Sequence, residues 1–183
     1  MSPSSPHSHP LLLLRDIERR SRQHAVGLPL QVEVKQTWSG VAFRLADNHL
    51  VAALLEVREI LTYPALAPVP GAKDWVKGIA NVRGNLLPII NLQSYLGRHG
   101  ALAGRRSRVL VIQQAGVFAG LVVDEVLGMK HFLEEEYRPE LPQAVEGAAG
   151  DYLQGCYVQD GQGWGVFSMH RLAQSPAFLR VAN

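Results

Sequence analysis

The chain has 183 residues, 47% hydrophobic and 19% charged, which is enough apolar material for one domain or two small lobes sharing a core. Its 18 basic and 16 acidic residues leave a net charge of +2, too even a balance for a protein whose main partner is nucleic acid or an anionic membrane. The one cysteine, Cys156, excludes an intramolecular disulfide and suits a reducing compartment; in the apolar run YLQGCYV it reads as a small buried hydrophobe.

Residues 1–10, MSPSSPHSHP, offer almost nothing to bury and are expected to be disordered. A helix is expected from Leu11 to about Gly27, with Asp16–Arg20 and Glu18–Arg22 at i,i+4 spacing and a weak apolar stripe of Leu14, Ile17, Ser21 and Ala25. The tetrad Leu11–Leu14 is too short for a signal-peptide core and runs straight into RDIERRSR. No apolar run approaches the roughly 20 residues of a membrane span. The chain therefore reads as cytoplasmic and soluble.

After Trp38 the texture changes to short strands. Val41, Phe43 and Leu45 alternate with Ala42, Arg44 and Ala46, Asp47-Asn48 marks a turn, and Leu50–Leu55 is apolar on both faces, as inside a closed barrel. Leu86–Ile90, Arg108–Gln113 and Val117–Val123 follow the same logic, with Ala115-Gly116 turning the chain between the last two. Tyr152–Gln159 and Gly163–Phe167 flank Asp160-Gly161, a hairpin signal in which both central residues take positive φ. Short helices are expected at Ala72–Lys77, Leu92–Leu96 and Met169–Ala173, the last capped by Ser168, and Ser175-Pro176 starts another. Nine or ten short strands with little helix imply small barrels rather than a parallel sheet.

Strong catalytic motifs are absent: the chain has no phosphate loop, no His-Glu-x-x-His and no nucleophile elbow. The glycines of GQGWG fall in the expected hairpin, outside the strand-to-helix context of a dinucleotide fingerprint. Asp124-Glu125 reads as a strand-ending turn, because adjacent strand residues point opposite ways. Glu134–Glu136 reads as a solvated acidic run, and Arg105, Arg106 and Arg108 as a basic loop without interleaved aromatics.

The segment VKGIANVRGNLLPIINL, residues 76–92, is the most informative. Gly78–Val82 and Leu86–Ile90 read as strands joined at Arg83-Gly84-Asn85, where Gly84 supplies a φ closed to side chains and Pro88 calls for a sheet edge or bulge. On pattern alone this is either a routine hairpin with a solvated arginine or a contact surface. The order Lys-Gly-Ile-x-Asn-x-Arg-Gly-x-x-x-Pro-Ile-x-x-Leu resembles the hallmark segment of the CheW-like domain, the adaptor module that couples chemoreceptors to a histidine kinase. GVAFRLADNHLVAALLEVREIL resembles that family's first hairpin, ending in Val-x-Glu-Ile at Val57–Ile60. GLVVDEVLGM, residues 120–129, resembles a second-lobe segment, and YLQGCYVQDGQGWGVFSMHRL the closing hairpin and helix. The head, with LLLLRDIERRSRQHAVGLP, resembles the branch associated with type IV pili and twitching motility.

The resemblance implies a mainly β fold of two packed SH3-like five-stranded barrels with short helices over residues 38–178, preceded by a flexible tail and helix at 1–37. It implies no active site, cofactor or metal. The partners it implies are the cytoplasmic tip of a methyl-accepting chemoreceptor, held in a groove between the barrels, and the regulatory domain of a CheA-like histidine kinase, with no nucleic acid and no membrane insertion. The protein would be recruited to membrane-associated receptor arrays. The partner-binding residues it carries over are Val57, Glu59, Asn81, Arg83, Gly84 and Pro88, with Arg83 shaping or contacting the groove through a fork suited to a carboxylate. Asn91 stands where the family often has aspartate. The alternatives are an SH3-like module binding nucleic acid or a Pro-rich peptide, and an enzyme that pairs Asp124 with a histidine.

Overall fold

The computed structural model describes residues 10–23, 36–98, 103–140 and 149–181, so the expectations for the tail and for the end of the first helix near Gly27 lie outside the described residues. Contacts divide the chain into residues 1–35 and 36–183. The first unit holds α1 (Pro10–Gln23). Its Asp16 pairs with Arg20 at 2.8 Å as expected, and also with Arg19 at 2.7 Å, while Leu11, Leu14 and Ile17 are exposed.

In the second unit β1 (Thr37–Leu45) and β2 (Asn48–Ala53) form a hairpin, followed by β3 (Val57–Thr62), β4 (Val76–Val82), β5 (Asn85–Asn91) and α2 (Leu92–Tyr95). Then come β6 (Arg108–Gln114), β7 (Val117–Val123), β8 (Glu125–Leu133), β9 (Tyr137–Arg138), β10 (Leu153–Gln159), β11 (Gln162–Phe167), α3 (Met169–Gln174) and α4 (Pro176–Leu179). One sheet has the order β8-β1-β2-β11-β10-β9 and the other β3-β6-β7-β5-β4. The expected pair of five-stranded barrels is therefore one six-stranded and one five-stranded sheet, the extra strand being the two residues of β9. Among the described residues no ladder joins the ends of either order, so each lobe is a curled open sheet.

The curl is visible in the core. Ala80, Leu87, Ile89, Val109, Val111 and Val122, with Leu61, Val82 and Phe118 beside them, come from all five strands of one sheet and meet in a single cluster. Ala42, Val51, Phe132, Tyr157, Trp164 and Val166, with Tyr137 of β9 beside them, do the same for the six-stranded lobe. The alternate residues Val41, Phe43, Leu45, Leu50, Leu110, Ile112, Leu121 and Phe167 point the other way, into a larger core shared by the two sheets. Strands that bury both faces must be apolar throughout, which is why β6 and β7 read as continuous hydrophobic runs. Gly120 is needed inside the five-stranded curl: a Cβ there would meet Val109 Cγ1 at 2.6 Å and Ile89 Cδ1 at 2.7 Å.

Three tight turns follow the chemistry of their residues. Arg83-Gly84, Ala115-Gly116 and Asp160-Gly161 each take positive φ at both positions, the geometry that matches hairpin twist. The first hairpin instead turns at Ala46-Asp47, one residue earlier than expected. Asn48 pairs with Leu45, and the Ala46 N–H donates to Asp124 Oδ2 at 2.6 Å.

Two further expectations are corrected. The apolar run does not stay extended to Leu55: β2 ends at Ala53, Leu54–Glu56 form a 3-10 turn, and Leu55 is 95% exposed. Ala72–Lys77 is not helical, because Lys73 N–H donates to Val181 O and Val76 already pairs with Ile90 as the start of β4. The α3 cap holds as expected, whereas Ser175 stands at the start of α4 without a side-chain capping bond, its hydroxyl being taken by those of Tyr95 and Tyr152. Ser168 Oγ accepts from Arg171 N–H at 3.2 Å to start α3, and Pro176 occupies the first turn of α4. Asn91 Oδ1 accepts from Ser94 N–H at 2.9 Å, so the residue in place of the expected aspartate caps α2, a task Asn and Asp perform about equally well.

Candidate protein-binding site

The six residues carried over from the resemblance do not form one patch. A bulge in β3 separates the first two: Val57 stands opposite Ile112, whereas Glu59 stands opposite Val111. Residues opposite each other in a ladder share a face, so Val57 packs toward the core between the sheets and Glu59 lies on the side of the five-stranded lobe's own interior. At the far end of the same sheet, the β4–β5 turn brings Arg83 back over the opening of that interior. Its Nη2 donates to Glu59 Oε1 at 2.5 Å, bridging strands that stand at opposite ends of the sheet order.

Around this pair lies a cavity of about 120 Å³ lined by Arg58, Glu59, Val82, Arg83, Asn85, Val111 and Phe118. Arg83 is 78% exposed and Glu59 27%, so the pair sits at the rim with its acceptor half-sunk. Arg58 lies over the Phe118 ring at 5.9 Å and donates to Gln113 Oε1, placing a second cation beside the mouth. The turn itself is braced by Asn81, whose Oδ1 accepts from Gly84 N–H at 2.9 Å. Asn81 therefore sets the shape of the turn, and Gly84, with φ of 84°, lets it close.

Pro88 lies elsewhere. It stands opposite Ile79 on the outer face of the sheet and lines an apolar cavity of about 210 Å³ with Val69, Val76, Ile90 and Val181. β5 is paired on both sides only over Ile89–Asn91, so Pro88 occupies the strand where its second neighbour is absent, in line with the expected edge. Leu86, 69% exposed beside the Arg83 turn, and Ile60, 42% exposed next to Glu59, were not singled out from sequence. Leu86 sits in an apolar run whose later members are core, and nothing local separates it from its buried neighbours; Ile60 lies on β3, where no residue is fully buried. Arg58 and Phe118 join the site only through the curl of the sheet.

Asp124, which the enzyme alternative pairs with a histidine, has structural partners. Asp124 Oδ2 accepts from Ala46 N–H at 2.6 Å and from Gln93 Nε2 at 2.7 Å, and lies 3.8 Å from Arg44, tying the first hairpin to α2. Glu125 pairs with Arg44 at 3.5 Å and with Arg106 at 3.7 Å. Cys156 is buried, with its thiol directed at Glu140 O at 3.3 Å, and burial pushes that thiol upward from its ordinary range. Among the described residues no helix is long and apolar enough to cross a membrane.

The CheW-like domain profile matches residues 39–177, which span both sheets and the Arg83 turn. The chain belongs to the CheW-like domain family. It is 46% identical over 173 residues to Protein PilI of Pseudomonas aeruginosa, covering 94% of this chain and 96% of that one. It is 31% identical over 122 residues to Chemotaxis protein CheW of Rhizobium meliloti, covering 67% and 78% of the two chains. Among solved structures it superposes on the scaffolding protein TtCheW from Thermoanaerobacter tengcongensis with a TM-score of 0.67, over 78% of this chain and 96% of that one. At 23% identity this last likeness concerns the CheW-like fold alone.

Proposed function

We propose that the chain is a non-enzymatic adaptor that binds the cytoplasmic tip of a methyl-accepting chemoreceptor and the regulatory domain of a CheA-like histidine kinase. It thereby carries receptor state to the kinase in a chemotaxis-like pathway that controls type IV pilus twitching motility, working on the cytoplasmic side at receptor arrays. The observation that carries this reading is the Glu59–Arg83 pair at the open end of the five-stranded lobe, flanked by exposed Ile60 and Leu86. A charged pair set among exposed aliphatic side chains offers both an orienting contact and apolar area to a partner. Asn81 and Gly84 hold that turn in shape, Val57 supports β3 from the core side, and Pro88 belongs to a separate apolar contact. Family membership supports the adaptor class, and the likeness to Protein PilI along nearly both whole chains supports the pilus branch.

An array adaptor works through repeated modest contacts, so micromolar pairwise affinities suffice. The reading is tested by titrating the purified chain separately with a receptor signalling-tip fragment and with the kinase regulatory domain from the same genome. The adaptor reading requires binding to both without mutual exclusion. Salt-sensitive binding to random oligonucleotides, with neither protein bound, would favour a nucleic-acid module instead.

A further inference from the structure

The six-stranded lobe carries a cavity of its own, about 290 Å³, walled by Glu134, Tyr137 and Tyr157. We propose that this cavity receives an arginine side chain presented by a protein partner. The inference stands on this lobe alone and holds whether or not the receptor–kinase reading does.

Its walls are electron-rich and held in place. Tyr157 stacks on Phe132 at 4.7 Å between ring centroids and on Trp38 at 5.1 Å, and Tyr137 meets it edge-on at 5.2 Å. The Tyr137 hydroxyl donates to Gln154 O at 2.7 Å, which pins that ring. Tyr157 is buried among these rings, so the half-buried Tyr137 is the ring left to a cation, and a ring fixed in this way attracts one without having to be ordered by it.

The carboxylate is fixed too. Glu134 N–H donates to Gln36 O at 3.2 Å, anchoring the residue at the rim. The Gln36 side-chain amide, turned to donate, reaches both Glu134 oxygens at 2.9 and 3.0 Å. An amide is neutral, so the site keeps its negative charge. Burial above all, with Tyr137 and Glu134 adding to it, raises the Tyr157 phenol above its ordinary range.

Among the described residues, two basic groups of this lobe, Lys130 and Arg138, are turned to other work. Lys130 lies over the Trp164 ring at 4.4 Å and donates to Gln159 at 3.2 Å. The Arg138 guanidinium donates to the carbonyls of Glu135 and Tyr137, both at 2.8 Å. A cation laid in this cavity would meet a carboxylate and a phenol ring together. Arginine suits it better than lysine, because a planar guanidinium lies flat on a phenol ring while its edge meets a carboxylate. One carboxylate and two phenols, that of Tyr137 already donating to Gln154 O, give little to orient a free small cation, so the cation is one already carried on another chain.

The test is an amide-resolved NMR titration of the full chain with the tripeptide Gly-Arg-Gly, its neutral isostere carrying citrulline, Gly-Lys-Gly and tetramethylammonium. The expected result is shifts centred on residues 133–138 and 156–158 with the arginine peptide, with the lysine peptide weaker and the citrulline peptide at least about fivefold weaker. Glu134→Gln, with an otherwise unchanged spectrum, should weaken the arginine peptide by about fivefold. Equal shifts from arginine and citrulline peptides, shifts centred elsewhere, tighter binding of tetramethylammonium, or an unaffected Glu134→Gln would each overturn the proposal.

Discussion

Replacing Arg83 by glutamate puts a carboxylate where Glu59 now finds a guanidinium 2.5 Å away. In the free protein the loss is small. Arg83 is 78% exposed, so solvent screens the pair and its removal costs about 0.2–1 kcal/mol, with repulsion from the new charge adding a similar amount. Together these lower the melting temperature by about 1–8 °C for a unit of this size. In a complex that covers the pair, Glu59 loses its partner in a drier setting, and the cost rises to about 2–5 kcal/mol. That corresponds to roughly 30- to 5,000-fold in Kd. The assay is paired: circular dichroism melting of Arg83→Glu, and calorimetric titration with the receptor-tip fragment and the kinase regulatory domain. The double variant Glu59→Arg/Arg83→Glu should regain the melting temperature and remain defective in binding, since the partner meets reversed charges. Binding within about threefold of the parent for both partners would refute the reasoning, as would a melting loss far beyond the screened-pair range, which would make Arg83 an internal brace.

Other expectations follow from particular contacts. Gly120→Ala drives a methyl into Val109 and Ile89 and should cost about 1–3 kcal/mol in urea unfolding, with the m-value unchanged. Ser168→Ala removes the α3 cap and should cost about 1 kcal/mol by the same measurement. Tyr95 shares hydroxyl hydrogen bonds with Tyr152 at 2.6 Å and Ser175 at 3.3 Å, and burial above all pushes its phenol up to about 12 from 10.0. A folded value above the unfolded one means that this contribution to stability is complete below pH 10 and is lost as the pH rises toward 12. Urea midpoints across that range should fall more steeply for the parent than for Tyr95→Phe.

What the sequence revealed follows the range of the interactions that decide each feature. Asp160-Gly161 and Ser168 were legible because a two-residue turn and a cap are settled within four residues. The Ala46-Asp47 turn was misplaced by one because a carboxylate 78 residues away, Asp124, takes the Ala46 N–H. Leu54 and Leu55 carry the composition of a strand but turn out of the sheet, and a run of leucines cannot mark where its buried part stops. The local sequence around Trp75 suggests a helix, yet Trp75 is held by long-range packing, meeting Tyr95 edge-on at 5.2 Å and stacking on Phe178 at 6.1 Å. At the site the arginine and the glycine of the turn were visible, and so was the want of a carboxylate. That the carboxylate is Glu59 depends on sheet curl, and the bulge that sends Val57 to the opposite face leaves no mark in a sequence of alternating residues.

The central claim is that this chain links receptor to kinase, and the most direct measurement is co-sedimentation with autophosphorylation. Receptor signalling tips assembled on vesicles, the matching kinase and the purified chain are mixed, with each component omitted in turn. The account predicts that the kinase sediments with the receptor only when the chain is present, and that its phosphorylation rate then responds to the receptor's signalling state. Kinase that sediments and responds equally well without the chain would contradict it.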